Sequence, residues 1–316
     1  MKMLKKIIAV VLTAATCLSL LAGCNNSTDV LKINGEPVSY ELYRYYYLNL
    51  KYQYDSGNAD YWKNNNYAKE QLKQEAVYYI QRDIAIDMIA AANNITLDEE
   101  DMKEVDSTVE EIVAMLGGED KYNAFLEASY TDADMYYEMI KRDTLGQKIW
   151  DTLYGENGTE ALTDDEMKDV IAKEYVRAAH VLVTFETDNA KQIAADIAET
   201  AKKGTDFMTL VKKYGEDPGM EDNADGYYFT KGEMVQAFEE TAFALKEGEV
   251  SDPVVTSYGY HIIKRLPMEQ SYISENLDEI RSSYYNIKTS LLIQEYIDGL
   301  KTEELSQFKK IDIDMK

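Results

Sequence analysis

The spacing of apolar residues changes twice along this chain of 316 residues, near residue 176 and again near residue 267. Between residues 38 and 176, apolar side chains recur every three or four positions, which is the period of helices that pack through one face. From residue 177 to 266, short β-branched runs alternate with helical segments, and beyond Pro267 the helical period returns. The sequence therefore predicts an α+β fold, in which an α+β unit is inserted between two helical segments.

The two helical segments are predicted to form a single all-α lobe. Two apolar stripes mark its helices, namely Leu72, Ala76, Ile80, Ile84 and Met88, followed by Met102, Val105, Val109, Ile112 and Leu116. Thr96 and Thr163 are each followed three residues later by a glutamate, which is the spacing of a capping box at the start of a helix. Gly117 and Gly118 follow the second stripe and are expected to end its helix.

The last predicted helix follows Pro267. Its apolar stripe consists of Leu277, Ile280, Tyr284, Ile287 and Leu291. Because an isolated helix is only marginally stable in water, we expect it to pack against the N-terminal helices. The predicted domain limits are 24–175 for the helical lobe, 176–266 for the inserted unit and 267–316 for the returning helix.

The inserted unit alternates between strand-like and helix-like segments. Strands are predicted over 179–185, 227–229, 253–256 and 260–265, with helical spacing over 193–201, 207–214 and 238–243. The last two strands are separated by three residues that end in Gly259, and this separation favours a hairpin.

The N-terminal leader is typical of an exported protein. Three lysines precede a mostly apolar run over 7–22, which is short for a membrane span. The run ends in Leu-Ala-Gly directly before Cys24, and this ending resembles a bacterial lipobox, whose cysteine thiol accepts diacylglycerol. We predict a cleaved signal peptide over 1–23 and a lipid anchor at Cys24 on the extracytoplasmic face of the cell membrane. An ordinary secretory signal is the alternative.

The chain is strongly acidic, with 58 aspartate and glutamate residues against 33 lysine and arginine residues and a formal net charge of −25. Such a charge repels nucleic-acid phosphates and anionic lipid headgroups, so it argues against nucleic-acid binding and against electrostatic membrane docking. Two acyl chains would suffice for stable attachment. Of the two cysteines, Cys17 would leave with the signal peptide and Cys24 would be lipidated, so the exported fold is expected to lack disulfides.

Four motifs of the inserted unit resemble those of parvulin-type peptidyl-prolyl isomerases. In chain order they are Val176-Arg-Ala-Ala-His180-Val-Leu-Val183, Tyr228-Phe-Thr-Lys-Gly-Glu-Met234, Phe238-Glu-Glu-Thr-Ala-Phe243 and Ser257-Tyr-Gly-Tyr-His261-Ile-Ile263. With the leader and the flanking helices, the chain resembles the PrsA-type extracytoplasmic foldase lipoproteins. Its helical part matches through Ile33-Asn-Gly-Glu-Pro-Val38. The resemblance implies a foldase that isomerises X-Pro bonds in unfolded secreted proteins.

The resemblance also implies a site. Its catalytic group would consist of His180, Asp217, Thr256 and His261, which include both histidines of the chain. Its proline slot would be lined by Phe229, Met234 and Phe238, with Tyr258 at the mouth. The alternative for the three slot residues is an ordinary core, and the alternative for the histidines is a purely structural pair.

One run departs from the parvulin pattern. Where the family usually shows Gly-Asp-Leu-Gly before the aromatic strand, residues 224–227 read Ala-Asp-Gly-Tyr, so a leucine that helps to floor the pocket is lost. We expect Tyr227 or Tyr228 to compensate. The loop over 184–188 is acidic rather than basic, which argues against phosphorylated substrates.

A rival interpretation is a holdase chaperone whose parvulin unit is catalytically silent and whose helical lobe captures clients. Seven tyrosines between Tyr40 and Tyr54 fit either an aromatic client cleft or the ordinary core and rim of a helix. A solute-binding lipoprotein would need two α/β lobes, which the pattern does not predict. A homodimer through the helical lobe is a further option for its assembly.

The sequence supports no metal or cofactor site. Residues 221–226 resemble part of a calcium loop, but Gly232 stands where that loop needs a bidentate glutamate. Two histidines without cysteine partners do not make a tetrahedral zinc site. We therefore expect an activity that needs no cofactor.

Overall fold

The computed structural model describes residues 29–315 apart from Ala224, without the side chains of Glu221 and Asp222. The predicted signal peptide over 1–23 and the predicted lipid site at Cys24 lie outside the described residues. Within the described part of the chain, no helix is long and apolar enough to cross a bilayer.

The helices and strands follow one another in this order. Residues 29–161 contain β1 (Leu31–Ile33), β2 (Glu36–Val38), α1 (Tyr40–Asp55), a 3-10 turn (Ala59–Trp62), α2 (Asn66–Asn93), α3 (Glu99–Leu116), α4 (Glu119–Ala128) and α5 (Ala133–Tyr154). Next come α6 (Asp164–Glu174), β3 (Val176–Thr184), α7 (Ala190–Lys202), α8 (Phe207–Tyr214), α9 (Gly219–Asp222), β4 (Tyr227–Phe229), α10 (Gln236–Ala244), β5 (Val254–Val255), β6 (Gly259–Leu266), α11 (Gln270–Glu275) and α12 (Leu277–Asp298). The chain ends with β7 (Thr302–Glu304) and a second 3-10 turn (Phe308–Lys310).

The described chain divides into two compact units, one formed by residues 29–161 with 289–315 and the other by Leu162–Lys288. A consecutive stretch of chain is thus inserted into the other unit, whose described residues flank it on both sides. The divisions fall after residues 161 and 288 rather than after 175 and 266. Helix α6 and the first part of α12 therefore belong to the inserted unit, which was predicted without them.

The first unit is mostly helical rather than all-α, because it also contains a small antiparallel sheet of order β2-β1-β7. Strands β1 and β2 form a hairpin through Asn34 and Gly35, whose φ angles of 53° and 90° suit a two-residue turn. Strand β7 then pairs with β1, with Leu31 opposite Glu304. Asn-Gly is a strong hairpin signal, whereas the exposed sequence Thr-Glu-Glu of β7 gives no sign of a strand.

The two predicted stripes of the first unit differ in burial. All five stripe residues of α2 are buried, which confirms that prediction, and they are Leu72, Ala76, Ile80, Ile84 and Met88. In α3, only Val105 is fully buried. The apolar period therefore predicted both helices, but the depth of burial depends on how many neighbouring elements cover each helix.

One of the two predicted capping boxes is confirmed and the other is wrong. Thr163 accepts a hydrogen bond from the backbone N–H of Glu166 at 3.3 Å, and the Glu166 carboxylate accepts one from the N–H of Thr163 at 2.9 Å. Helix α3, however, begins after Asp98, whose carboxylate caps it together with that of Asp101. Thr96 lies in the connection before this cap. Aspartate and threonine are both good helix caps, so the threonine spacing alone did not decide where the helix begins.

Replacing Thr163 with alanine should lower the free energy of unfolding by about 1 kcal/mol, because α6 loses one side-chain cap. Urea unfolding followed by circular dichroism would measure this change. Thr96→Ala is the matched control and should leave the midpoint unchanged. An equal loss in both variants would contradict the assignment of the caps.

The second unit is built on an antiparallel sheet of order β4-β3-β6-β5. Its four strands and the β5–β6 hairpin confirm the strands predicted for this region. Gly259 begins β6 with a φ of 148°, and a Cβ atom there would lie 2.3 Å from the carbonyl oxygen of Val183. Only glycine therefore allows β6 to approach β3 at this point.

One apolar cluster covers each face of this sheet. The first cluster packs α7 and α8 against Val181, Val183 and Ile262. The second cluster packs α10 against Val176, Ala178 and Ile263. Because alternate residues of a strand point to opposite faces, both clusters draw on β3 and β6.

Candidate functional site

The pairing of β3 with β6 brings the two histidines together. His180 lies opposite Ile263, and Leu182 lies opposite His261, so both imidazoles point to the face that α10 covers. Their ring centroids are 5.0 Å apart and their Nδ1 atoms are 3.3 Å apart. Both residues are buried, with 6% and 4% of their surface exposed.

A continuous set of hydrogen bonds runs through this pair. On one side, His180 Nε2 lies 2.7 Å from Asp217 Oδ2. On the other side, His261 Nε2 lies 2.8 Å from the hydroxyl of Thr256. Thr256 in turn accepts a hydrogen bond of 3.1 Å from the backbone N–H of Tyr258. The four residues predicted as the catalytic group therefore form one network.

The carboxylate at one end assigns the direction of every proton in this network. When it is ionised, Asp217 has no proton to donate and can only accept a hydrogen bond. His180 must therefore carry a proton on Nε2, which leaves Nδ1 as an acceptor. His261 then donates from Nδ1 and accepts from the Thr256 hydroxyl at Nε2. With both imidazoles neutral, each shared contact has one donor and one acceptor.

The pKa values agree with neutral imidazoles beside an ionised carboxylate. Burial lowers the pKa of His180, against the opposing effect of Asp217. Burial and the neighbouring His180 lower the pKa of His261 from 6.5 to about 4. Burial alone would raise the pKa of Asp217, but hydrogen bonds from His180, Gly219 and Tyr227 hold it below its ordinary value.

Phe238 forms the apolar counterpart of this network. Its ring meets His180 nearly edge to face at a centroid distance of 5.1 Å and meets His261 at 5.5 Å. Phe229 lies behind it at 5.8 Å and is only 1% exposed, so it supports Phe238 from the core. Met234 is half-buried against the same cluster. Phe238 is the member that borders both imidazoles, and Met234 is the partly exposed member of the cluster.

Tyr258 occupies a different position from the other predicted residues. Its side chain is 62% exposed in the turn between β5 and β6, and its described link to the network is the backbone N–H that reaches Thr256. The phenol therefore lies in solvent beside the site. The predicted position at the mouth is compatible with this exposure.

Sequence reasoning missed Arg177, which holds the segment before β4. Its guanidinium is buried, donates to the carbonyl of Asp225 at 2.8 Å and to that of Pro267 at 3.1 Å, and pairs with Glu269 at 2.5 Å. The ring of Tyr228 lies 5.3 Å away. An arginine within an apolar strand run was a usable signal, because a buried charge needs nearby acceptors.

Sequence reasoning also missed Glu216, which follows α8 and hydrogen-bonds the acidic loop after β3. Its carboxylate accepts hydrogen bonds from the Thr184 N–H at 2.7 Å and from the Thr187 hydroxyl at 2.6 Å. Burial opposes ionisation, but the hydrogen bond from Thr187 has the larger effect and lowers the pKa of Glu216. A negative charge therefore lies within this loop at neutral pH.

Comparison with known proteins agrees with this geometry. Residues 180–266 match the family model described as rotamase, the PPIC-type PPIase domain. Together with the sheet and the paired imidazoles, this match defines the chain as a peptidyl-prolyl isomerase of the parvulin type.

Similarity extends beyond that domain. The foldase protein PrsA of Geobacillus sp. (strain WCH70) is 32% identical over 258 residues, which cover 80% of this chain and 87% of that protein. PrsA of Bacillus subtilis is 34% identical over 201 residues, which cover 60% of each chain. The chain belongs to the PrsA foldase family.

A solved structure from the same family is also similar. The crystal structure of the peptidylprolyl isomerase PrsA from Bacillus anthracis is 24% identical and covers 73% of this chain and 96% of that chain, with a TM-score of 0.42. Because this score is low, the family assignment rests on the sequence matches.

The two imidazoles should not titrate near neutral pH. In a nuclear magnetic resonance titration of the histidine ring protons, we expect His261 to titrate near pH 4 and His180 to titrate below 6.5. The chain has only two histidines, so their signals are readily assigned. A midpoint near 6.5 for either ring would contradict the neutral network.

The same shifts predict how stability depends on pH. The unfolded chain takes up a proton on each histidine near pH 6.5, whereas the folded chain resists it, so the unfolded state binds more protons just below that pH. The stabilisation is therefore complete above pH 6.5 and is lost as the pH falls towards 4. Urea unfolding at pH 7 and pH 5 would measure the loss, and His261→Gln should reduce it.

Proposed function

We propose that this chain is a membrane-anchored extracytoplasmic foldase that isomerises X-Pro bonds in exported, unfolded polypeptides. The observation that carries the proposal is the contact of Phe238 with both imidazoles of a polar network that ends at Asp217. An apolar surface beside a polar wall is the arrangement that an X-Pro amide requires. The family relationship supports a foldase role with unfolded proteins as substrates.

The reaction requires rotation about a bond rather than bond cleavage. The barrier is about 18–20 kcal/mol, because the amide has partial double-bond character. Uncatalysed isomerisation takes tens to hundreds of seconds. A catalyst must bind the twisted amide more tightly than the planar one. No nucleophile, metal or redox group is needed for such a step.

In this proposal, the apolar residues bind the proline ring and the polar residues stabilise the twisted amide. Phe238 and Met234 hold the pyrrolidine ring, and Phe229 fixes Phe238 from behind. The network of His180, His261 and Thr256 provides fixed dipoles against which the twisted amide is stabilised. The lowered pKa values of both histidines keep the imidazoles neutral, so the network acts by orientation rather than by proton transfer.

The charge around the site narrows the substrate class. The Glu216 carboxylate accepts a hydrogen bond from Thr187 in the loop after β3, and the loop itself carries Glu186 and Asp188. A phosphorylated residue before the proline would meet these like charges. We therefore propose unmodified X-Pro segments as substrates.

Replacing Phe238 tests this assignment. Phe238→Ala should reduce kcat/KM for a proline peptide by about tenfold or more, because the ring no longer positions the pyrrolidine. Phe238 is 2% exposed, so Phe238→Leu serves as a second variant that preserves more of the core. A protease-free isomerisation assay at low temperature gives the rates, and melting curves confirm folding.

Phe185→Ala is the matched control for this experiment. Phe185 is 53% exposed and packs on Tyr260, whose side chain faces the α7–α8 cluster on the other face of the sheet. Its removal should leave the rate unchanged. Full activity in both folded Phe238 variants would refute the proline slot and favour the holdase interpretation.

The anchor is the second part of the proposal. The lipobox-like run before Cys24 supports lipidation, and the acidic body supports attachment by acyl chains rather than by charge. In a bacterial host fed labelled palmitate, the parent chain should carry label and partition with membranes.

Cys24→Ala should abolish both the label and the membrane partition, whereas Cys17→Ala should retain them. Cys17 lies in the predicted signal peptide and Cys24 directly follows it, so the pair separates lipidation from a general loss of export. Label that persists in Cys24→Ala would overturn the predicted anchor.

A further inference from the structure

Asp217 receives a hydrogen bond that the isomerase site described above does not require. The hydroxyl of Tyr227 donates to Asp217 Oδ2 at 3.0 Å, and this is the same oxygen that lies 2.7 Å from His180 Nε2. The other oxygen of Asp217 accepts from the backbone N–H of Gly219 at 3.1 Å. Tyr227 lies within the run that departs from the parvulin pattern.

The space for this hydroxyl is created at Gly219. A Cβ atom on Gly219 would lie 2.3 Å from the Tyr227 hydroxyl oxygen, which is far inside van der Waals contact, but 3.5 Å from the ring carbon that bears it. The absence of a side chain at residue 219 is therefore what allows a phenol to reach Asp217. A phenylalanine ring at residue 227 would not need this space.

The backbone that carries Tyr227 is also fixed. Arg177 donates to the carbonyl of Asp225, two residues before Tyr227, and its guanidinium is anchored again at Pro267 and Glu269. The ring of Tyr227 packs against the apolar clusters on both faces of the sheet. It also lies 5.8 Å from the imidazole of His180. The hydroxyl is therefore held at Asp217 by packing on several sides.

The consequence of this contact follows from the direction of the protons. Because the Tyr227 hydroxyl and His180 Nε2 both donate to Oδ2, the carboxylate is held ionised and in one orientation. That orientation fixes the tautomer of His180, whose unprotonated Nδ1 accepts a hydrogen bond. His261 must then carry its proton on Nδ1, so its tautomer is fixed as well. A change at Tyr227 is therefore expected to alter the orientation and tautomers of both imidazoles.

We propose that Tyr227 is a positioning residue of the isomerase, which acts through Asp217 to fix the orientation and tautomers of the two histidines. Gly219 is also required for this contact, since it provides the space for the phenol hydroxyl. The inference rests on the proposed isomerase site and adds to it a residue that the catalytic group predicted from sequence did not contain.

The decisive variant is Tyr227→Phe, which removes one oxygen and keeps the ring. We expect kcat/KM for a proline peptide to fall between about threefold and tenfold, because one hydrogen bond to a charged group is lost. We also expect the imidazole nitrogen shifts of His180 to move at neutral pH. Tyr272→Phe is the matched control, since that ring is 37% exposed and stacks on Tyr228 at 4.0 Å, and it should change neither quantity.

A double-mutant cycle separates this role from general packing. Gly219→Ala alone should lower kcat/KM by a similar factor, because the new methyl group displaces the hydroxyl. In the Tyr227→Phe background, the same change should cost little more, because no hydroxyl remains to displace. Strongly non-additive losses, with unchanged melting temperatures, support the proposal.

Three results would overturn it. The first is an unchanged imidazole spectrum in Tyr227→Phe, the second is additive losses in the cycle, and the third is shifted imidazole signals with unaltered kcat/KM. The parent chain is assayed first, so that its inactivity would refute the proposed isomerase function by itself. The imidazole spectra are independent of activity and would still show whether Tyr227 orients the pair.

Discussion

The site depends on the register of one strand pair. Strands β3 and β6 run antiparallel so that Leu182 lies opposite His261 and His180 lies opposite Ile263, which brings both imidazoles to the same face. A slip of one residue would turn one histidine to the opposite face and separate the pair. Gly259 helps to fix this register, because only a residue without a side chain fits against the carbonyl of Val183. The imidazole contact is therefore a consequence of strand pairing rather than of any flexible loop.

A single carboxylate gives the polar network its direction. Asp217 lies just after α8, and its ionised form sets the proton positions on His180, His261 and Thr256 in turn. The surroundings maintain this state, because burial disfavours a charge on the imidazoles while several donors stabilise the charge on the carboxylate. A neutral, oriented network suits a reaction that needs electrostatic complementarity to a twisted amide and no transfer of protons.

Local signals predicted the parts of the structure that depend on neighbouring residues. The apolar stripe of α2, the capping box at Thr163 and the β5–β6 hairpin all follow from patterns within a few residues. The errors arose where several local solutions compete. Asp98 rather than Thr96 caps α3, since both residue types are good caps and packing chooses between them. The compact unit is wider than the predicted domain, because α6 and the first part of α12 join it through contacts that no local period reveals.

The sequence by itself determined the class of the fold and the order of the motifs, and its resemblance to the parvulins supplied the residues of the proposed slot and catalytic group. The fold class and the motif order depend on side-chain chemistry and periodicity within short stretches of chain. Only the tertiary structure decided that Tyr227 reaches Asp217, that Arg177 holds the approach to β4, and that β7 completes a sheet with β1. Each of these contacts joins segments whose separation along the chain leaves no local pattern, so it is fixed by the packing of the whole unit.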